Sequence, residues 1–124
     1  MIVGIGVDVV DLARFERALG RTPKLKSRLF AEIELSTPEK VLSLRSLAGR
    51  FAAKEALIKA VGHSAEFRWH DMEVVRDENR NPGFALSGGV AAAVAGIGAS
   101  RVHLSLSHDG GHAMAFVVAE SVAS

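Results

Sequence analysis

GRFAAKEALIKAVG, residues 49–62, is a run of helix formers that sets a carboxylate where an apolar stripe belongs. At roughly 100° per residue, Leu47, Phe51, Glu55 and Ile58 fall on one helix face. An unpaired carboxylate is costly to bury, so a residue of this kind is normally exposed or matched with a cation or a metal. Arg50, Lys54 and Lys59 surround Glu55. Two readings stand side by side: a site for a metal and a phosphate, or a stripe-edge glutamate paired with Lys59 one turn on, contributing about 0.2–0.5 kcal/mol. Upstream, Ser36-Thr37-Pro38-Glu39 has the form of a helix start. The helical pattern is expected to run from there to Gly62, with an interruption or kink near Gly49.

The two ends of the chain add polar groups to this helix. The first ten residues, MIVGIGVDVV, read as a buried strand with Val3, Ile5, Val7 and Val9 on one face and Gly4, Gly6 and Asp8 on the other. Two positions without side chains leading to one carboxylate leave room for another backbone or a ligand to come close. Near the other end, residues 102–109, VHLSLSHD, alternate again and finish in hydroxyl, imidazole and carboxylate just before the Gly110-Gly111 turn. Ser107, His108 and Asp109 do not form a hydrolase triad, because neighbours on a strand face opposite ways.

Three segments, GIGVDVV at 4–10, GRFAAKEA at 49–56 and LSLSHD at 104–109, match in order and spacing the holo-acyl-carrier-protein synthases, the small bacterial 4′-phosphopantetheinyl transferases. The chain closely resembles that family over nearly its whole length, and the middle motif is the specific one. The resemblance implies a Mg²⁺-dependent enzyme of fatty acid biosynthesis. In that reaction a serine of apo acyl carrier protein attacks the β-phosphate of coenzyme A. The 4′-phosphopantetheine arm is transferred and adenosine 3′,5′-bisphosphate leaves. By position, the resemblance makes Asp8 and Glu55 metal ligands and Lys59 the residue that binds phosphate or protonates the departing oxygen; Asp8, Glu55 and Lys59 together form the catalytic set. It gives Arg50, Phe51, Lys54, Ser107 and His108 to the cofactor and Arg14 and Arg21 to the carrier protein. It also implies a homotrimer with active sites at subunit interfaces, one protomer supplying the metal ligands and the next completing the cofactor pocket.

The residues themselves are compatible with this chemistry. Mg²⁺ takes hard oxygen ligands, often one or two carboxylates plus waters and substrate phosphates, and Asp8 with Glu55 offers such a pair. With no cysteine there is no disulfide, thiolate site or thiol nucleophile. His63, His70, His103, His108 and His112 do not fall into the spacing of a zinc site. Either Glu55 or Asp8 is a candidate for the base that takes the serine proton. His108 has the best unperturbed pKa for proton transfer, but the resemblance makes it a phosphate ligand.

A net charge of +1 does not suit a general nucleic-acid binder. Between Asp11 and Arg28, however, Arg14, Arg17, Arg21, Lys24, Lys26 and Arg28 stand against only Asp11 and Glu16. Such a surplus is either a solvated face or a surface that steers an acidic partner. No apolar run approaches the roughly 20 residues of a membrane crossing, and residues 1–10 lack the basic start of a signal peptide. A cytoplasmic protein is expected.

The expected fold is α+β, one small domain over residues 1–124, with an antiparallel sheet packed against a long helix. Asp11 is placed as the cap of a helix over Leu12–Leu19 ended by Gly20. Strands are expected at Trp69–Arg76 and Gly83–Ser87 and a short helix over Gly88–Gly96. A hairpin is expected from strands 101–108 and 112–119. On this hairpin, Val102, Leu104, Leu106, Met114, Phe116 and Val118 are expected to form an apolar surface, to be buried by a three-fold ring or covered within one chain by the Ala-rich segment 90–95 and the long helix.

The turn Asn79-Arg80-Asn81-Pro82 departs from the family, which has glycine before a basic residue and proline. An asparagine there would tolerate left-handed backbone angles. Ser64 replaces a second glycine after Gly62. No site residue is carried over from either loop. Two rival functions remain: another metal-dependent phosphoryl-transfer enzyme would share Asp8 and Glu55 without needing the basic first helix, and a non-catalytic coenzyme A or nucleotide binder would need the bases without the carboxylate pair.

Overall fold

The computed structural model describes residues 1–35, 42–63 and 67–122. Strand β1, Ile2–Asp11, leads into helix α1, Leu12–Arg21, and then two short helices, α2 at Leu25–Leu29 and α3 at Glu32–Leu35. Helix α4 spans Leu44–Val61. A 3₁₀ turn, Trp69–Asp71, precedes strand β2 at Met72–Arg76 and strand β3 at Pro82–Leu86. Helix α5, Gly88–Gly96, is followed by strands β4, Arg101–Asp109, and β5, His112–Glu120. The antiparallel order β1-β5-β4 makes the main sheet, and β2-β3 form a separate pair. This is the expected α+β arrangement of sheet on long helix.

Local chemistry accounts for the element ends. The Asp11 carboxylate accepts from the Arg14 amide at 3.0 Å and caps α1. Gly20 does not stop the helix; it lies inside α1, which runs one residue further and is capped at Thr22. Ser43 caps α4 by accepting from the Ser46 amide at 3.1 Å, and Gly62 closes it at φ 94°. The helix continues through Gly49 without a break, so the expected interruption is absent. A reason is visible: Gly49 faces His108, whose Nε2 lies 3.2 Å from where a Cβ would stand. Small size there lets strand and helix approach. The expected start at Ser36–Glu39 and the Ser64 position lie outside the described residues. Trp69–Asp71 curls into a 3₁₀ turn where a strand was expected.

The first strand divides its faces as expected, but only one of them is buried. Gly4, Gly6, Asp8 and Val10 turn inward, and the Val/Ile face is outside, with Ile5 62 % and Val9 51 % exposed. The glycines admit a backbone: a Cβ on Gly6 would stand 1.8 Å from the Ala56 carbonyl oxygen, and one on Gly4 2.2 Å from that of Ala60. On the helix side Ala52, Ala53, Ala56 and Leu57 are fully buried. Small residues on both surfaces bring α4 nearly onto the strand.

The hairpin is also divided. Register pairs Leu104 with Val117 and Leu106 with Ala115 on the helix side, and Ser105 with Phe116 and Ser107 with Met114 on the other. Val102, Leu104 and Leu106 pack on the core, while Met114 and Phe116 are exposed. The six residues therefore do not share one surface. The outer apolar face instead combines Ile5, Val7 and Val9 of β1 with Met114, Phe116 and Val118 of β5, which register sets side by side.

Candidate active site

Asp8, Glu55 and Lys59 come together where β1 meets the second half of α4. The Lys59 ammonium donates to Asp8 Oδ1 at 2.8 Å and to the Val7 carbonyl at 3.0 Å. Its simple partner is thus Asp8 across the interface, not Glu55 on its own helix. Glu55 is half-buried. Burial pushes its carboxyl above the usual glutamate range, the nearby Asp8 carboxylate adds to this, and Lys59 opposes it. Two carboxylates close enough to repel through one another's charge, with an ammonium beside them, make a site whose own charges are under strain.

The donor set fits a hard divalent cation that completes its shell with water and phosphate oxygens. Among the described residues no group of three or more His, Asp or Glu side chains gathers as a metal site. Asp8 and Glu55 are the residues that would hold such an ion.

From this corner a cleft of about 1240 Å³ opens between β1, α1, α2, α4 and the 3₁₀ turn. Asp8 and Glu55 line it together with Arg14, Arg17, Arg21, Arg28 and Arg68. Its floor is aromatic. Phe51 stacks on Phe15 with centroids 5.3 Å apart and meets Trp69 at 5.8 Å. Arg14 and Arg21 are exposed on α1 and line the same cleft as the carboxylates. Among the cleft residues, Arg68 and Asp71 carry no sequence signal, and Arg28 and His70 gave none that tied them to the site, since nothing in their spacing links them to α4.

Toward the N-terminal half of α4, His108 of β4 meets Gly49, while Arg50 has Glu34 and Arg76 as its charged neighbours. His108 Nε2 is 3.1 Å from the Arg45 carbonyl. The Arg50 Nε is buried and finds no hydrogen-bond partner among the described residues. Burial pulls its guanidinium below the usual arginine range, with Glu34 opposing and Arg76 adding to the shift. An orphaned buried donor is what an anion-binding arginine would show when nothing is bound. Ser107, on the opposite face of β4 from His108, is exposed on the outer side of the sheet. Neither Ser107 nor His108 lines the cleft that holds Asp8 and Glu55.

Lys54 requires a correction. It was expected to hold phosphate, but it is fully buried. Its ammonium donates to Glu34 Oε1 at 2.6 Å, to the Leu29 carbonyl at 2.6 Å and to the Trp69 carbonyl at 3.1 Å. An ammonium has three donors, and all three are used. Burial draws its pKa down while Glu34 holds it up. The buried charge on α4 is therefore this lysine and not Glu55. Its partner Glu34 was not singled out, because Glu32 two residues earlier is an identical residue that stays exposed. Only tertiary contact distinguishes them.

The turn before β3 keeps its shape in an unexpected way. Arg80, not an asparagine, takes the left-handed position at φ 66°. Its carbonyl accepts from Arg76 at 2.7 Å, and the Asp77 carboxylate accepts from the Asn79 and Asn81 amides.

Residues 4–117 match the 4′-phosphopantetheinyl transferase superfamily. The chain is 58 % identical over 120 residues to the holo-[acyl-carrier-protein] synthase of Leifsonia xyli subsp. xyli, covering 97 % of this chain and 98 % of that one. The crystal structure of holo-[acyl-carrier-protein] synthase from Neisseria meningitidis superposes with a TM-score of 0.86 at 34 % identity, over 98 % of this chain and 100 % of that one. The Bacillus anthracis synthase, solved in complex with CoA (3′,5′-ADP), gives 0.79 at 37 % identity, over 98 % and 99 %.

Proposed function

The chain belongs to the holo-[acyl-carrier-protein] synthases of the 4′-phosphopantetheinyl transferase superfamily, and from that membership we propose that it loads the 4′-phosphopantetheine arm of coenzyme A onto a serine of apo acyl carrier protein. The reaction is Mg²⁺-dependent, releases adenosine 3′,5′-bisphosphate and serves fatty acid biosynthesis in the cytoplasm, and residues 1–124 act as one domain. The observation that carries this reading is the shared cleft in which the exposed arginines of α1 border the Asp8–Glu55 pair. An acidic protein docked on those arginines has its serine delivered to the carboxylates.

The proposed roles follow from the geometry. Glu55, with Asp8 as the second candidate, accepts the serine proton, both carboxylates lining the cleft to which the serine is delivered. The serine oxygen bonds to the β-phosphorus, and the bond from that phosphorus to the bridging oxygen breaks. Lys59, half-exposed on its long stem, neutralises or protonates the departing oxygen, for which it must leave Asp8. Mg²⁺ held by Asp8 and Glu55 would withdraw charge from the pyrophosphate. Arg50 and His108 hold the outlying phosphate of coenzyme A, Ser107 on the opposite face of β4 contributes to the pocket of a neighbouring protomer, and Phe51 supports the arm along the cleft floor. Incubation with apo carrier protein, coenzyme A and Mg²⁺, followed by intact mass, tests the reading directly. A gain of one phosphopantetheine is expected; no gain with any of several carriers would leave the rival functions in place.

Docking and chemistry separate by mutation. Arg14→Glu or Arg21→Glu is expected to raise the KM for carrier protein and to leave coenzyme A binding alone, since both side chains are exposed at the rim. The effect is expected to shrink with salt, because the Debye length falls from about 10 Å at 0.1 M to about 3 Å at 1 M. Equal losses for both substrates would show that α1 shapes the pocket instead.

The proposed assembly is a homotrimer with shared active sites. Its support here is the outer face of β1 and β5, where Ile5, Val7, Val9, Met114 and Phe116 are all exposed in the single chain. An apolar face of this extent normally belongs to an interface. The separation of His108 from the cleft within one chain also suits a pocket completed by a neighbour. Light scattering at micromolar concentration is expected to give about three times the 13.1 kDa of one chain. An active sample with the mass of a single chain would end the shared-site reading.

A further inference from the structure

The buried ion pair behind the cleft is used by no step of the transfer, yet it joins α4 to α2 and to the 3₁₀ turn, two of the elements that border the site. Lys54 precedes Glu55 on α4. Its ammonium is held by Leu29 at the end of α2, by Glu34 of α3 and by Trp69 of the 3₁₀ turn. Glu34 in turn accepts from the Ala31 amide at 3.0 Å through Oε1 and from the Val74 amide of β2 at 3.0 Å through Oε2. Both side chains are almost wholly shielded from water, at 0 % and 1 % exposure. On the other flank of the same helix, the carbonyls of Ala56 and Ala60 lie against Gly6 and Gly4 of β1.

We propose that Lys54 and Glu34 form a positioning pair that sets the roll of α4 about its axis and so holds the Glu55 carboxylate opposite Asp8. Adjacent residues of a helix point about 100° apart. Fixing the Lys54 ammonium at three oxygens on three other elements therefore fixes where Glu55 points. The glycine contacts hold α4 close to β1 but present only backbone, and a smooth backbone contact resists sliding less than a directional hydrogen-bond cluster does. The ion pair supplies that direction. It also ties α2 and the 3₁₀ turn, the wall of the cleft facing α1, to the residue next to the ligand. This inference rests on Asp8 and Glu55 being the metal ligands.

The test compares the double variant Lys54→Met/Glu34→Gln with the unsubstituted protein. Replacing both charges avoids leaving one buried and unpaired, and the Glu34→Gln change retains a side-chain oxygen for the Ala31 or Val74 amide. Met72→Ala, which empties a fully buried position on β2, is a control for lost stability alone, with thermal unfolding measured on all three. Two binding constants are read. Mn²⁺ is titrated in the presence of coenzyme A and followed by electron paramagnetic resonance; coenzyme A is titrated without metal by calorimetry. The double variant is expected to bind Mn²⁺ about ten-fold or more weakly, as for loss of an outer-shell partner of a metal ligand. Its metal-free affinity for coenzyme A should be unchanged, and Met72→Ala should keep Mn²⁺ affinity despite its lower melting point. Loss of coenzyme A affinity with intact Mn²⁺ binding would return Lys54 to the role of a phosphate ligand and overturn the proposal. Equal Mn²⁺ weakening in the double variant and Met72→Ala would reduce the pair to a structural one. If the unsubstituted protein binds no Mn²⁺, the two-carboxylate reading fails and this inference fails with it.

Discussion

Asp8→Ala and Glu55→Ala are each expected to lower kcat for transfer by about a thousandfold or more, roughly 4 kcal/mol of lost transition-state stabilisation. Removing one ligand leaves the other carboxylate to repel the pyrophosphate. In Asp8→Ala it also frees the Lys59 ammonium from its 2.8 Å partner. The fold should survive both changes, because neither side chain is fully buried. Glu55→Ala is expected to stabilise the metal-free protein slightly at neutral pH. The sign follows from protons bound. Burial and Asp8 raise the folded-state pKa of Glu55 above its unfolded value, so folding takes up a proton in that interval. Stability then falls as pH rises from the ordinary glutamate range through the raised value, and alanine removes the loss. Near-normal turnover of either variant at saturating Mg²⁺ would show that the two carboxylates are not the metal site.

Gly6→Ala should be the most damaging change outside the reacting groups. The new methyl would stand 1.8 Å from the Ala56 carbonyl oxygen and 2.8 Å from the Ala60 amide nitrogen, all rigid backbone. Strand and helix must part to admit it, and a cost above about 3 kcal/mol is expected, a large share of the stability of a small domain. Since Asp8 is two residues along and Glu55 is next to Ala56, transfer should fall even where the variant folds. Gly20→Ala is the contrasting substitution. Gly20 lies inside α1 with no atom within 4 Å of its Cβ position, and alanine should raise stability by up to about 1 kcal/mol. Denaturant unfolding of both checks the pair, and a Gly6→Ala protein as stable as the parent would mean the close approach of α4 to β1 is mistaken.

The periodicity of 49–62, the alternation at both ends and the glycine turn were enough to give the α+β arrangement, because each reflects a local spacing. Faces were harder. On β1 the whole strand read as buried, yet only the glycine face is covered, where the α4 backbone comes close, and the valine face stays outside. The same limit explains Val102 and Met114: alternation within each strand is plain, but which alternate set meets the helix depends on pairing. At the site, Asp8, Glu55 and Lys59 were legible as carboxylates and a base near one helix face. Lys54 was given to the cofactor by resemblance alone, and the partner that buries it, Glu34, is twenty residues away. The short helices α2 and α3, which build one cleft wall, lack the length to leave a periodic signal.

The order of the main sheet has a consequence for synthesis. Among the described elements β1 is translated first and β5 last, yet they are direct neighbours, tied even at their ends where the Met1 amine donates to the Ser121 carbonyl 120 residues on. Helix α4 can form while the chain is still emerging, since its hydrogen bonds are local, but β1 has no edge to join until β5 has left the ribosome. Until then the backbone of β1 lacks its strand partner. Asp8 is thus made before the rest of the catalytic set, yet it is set in place only once β5 has paired with its strand.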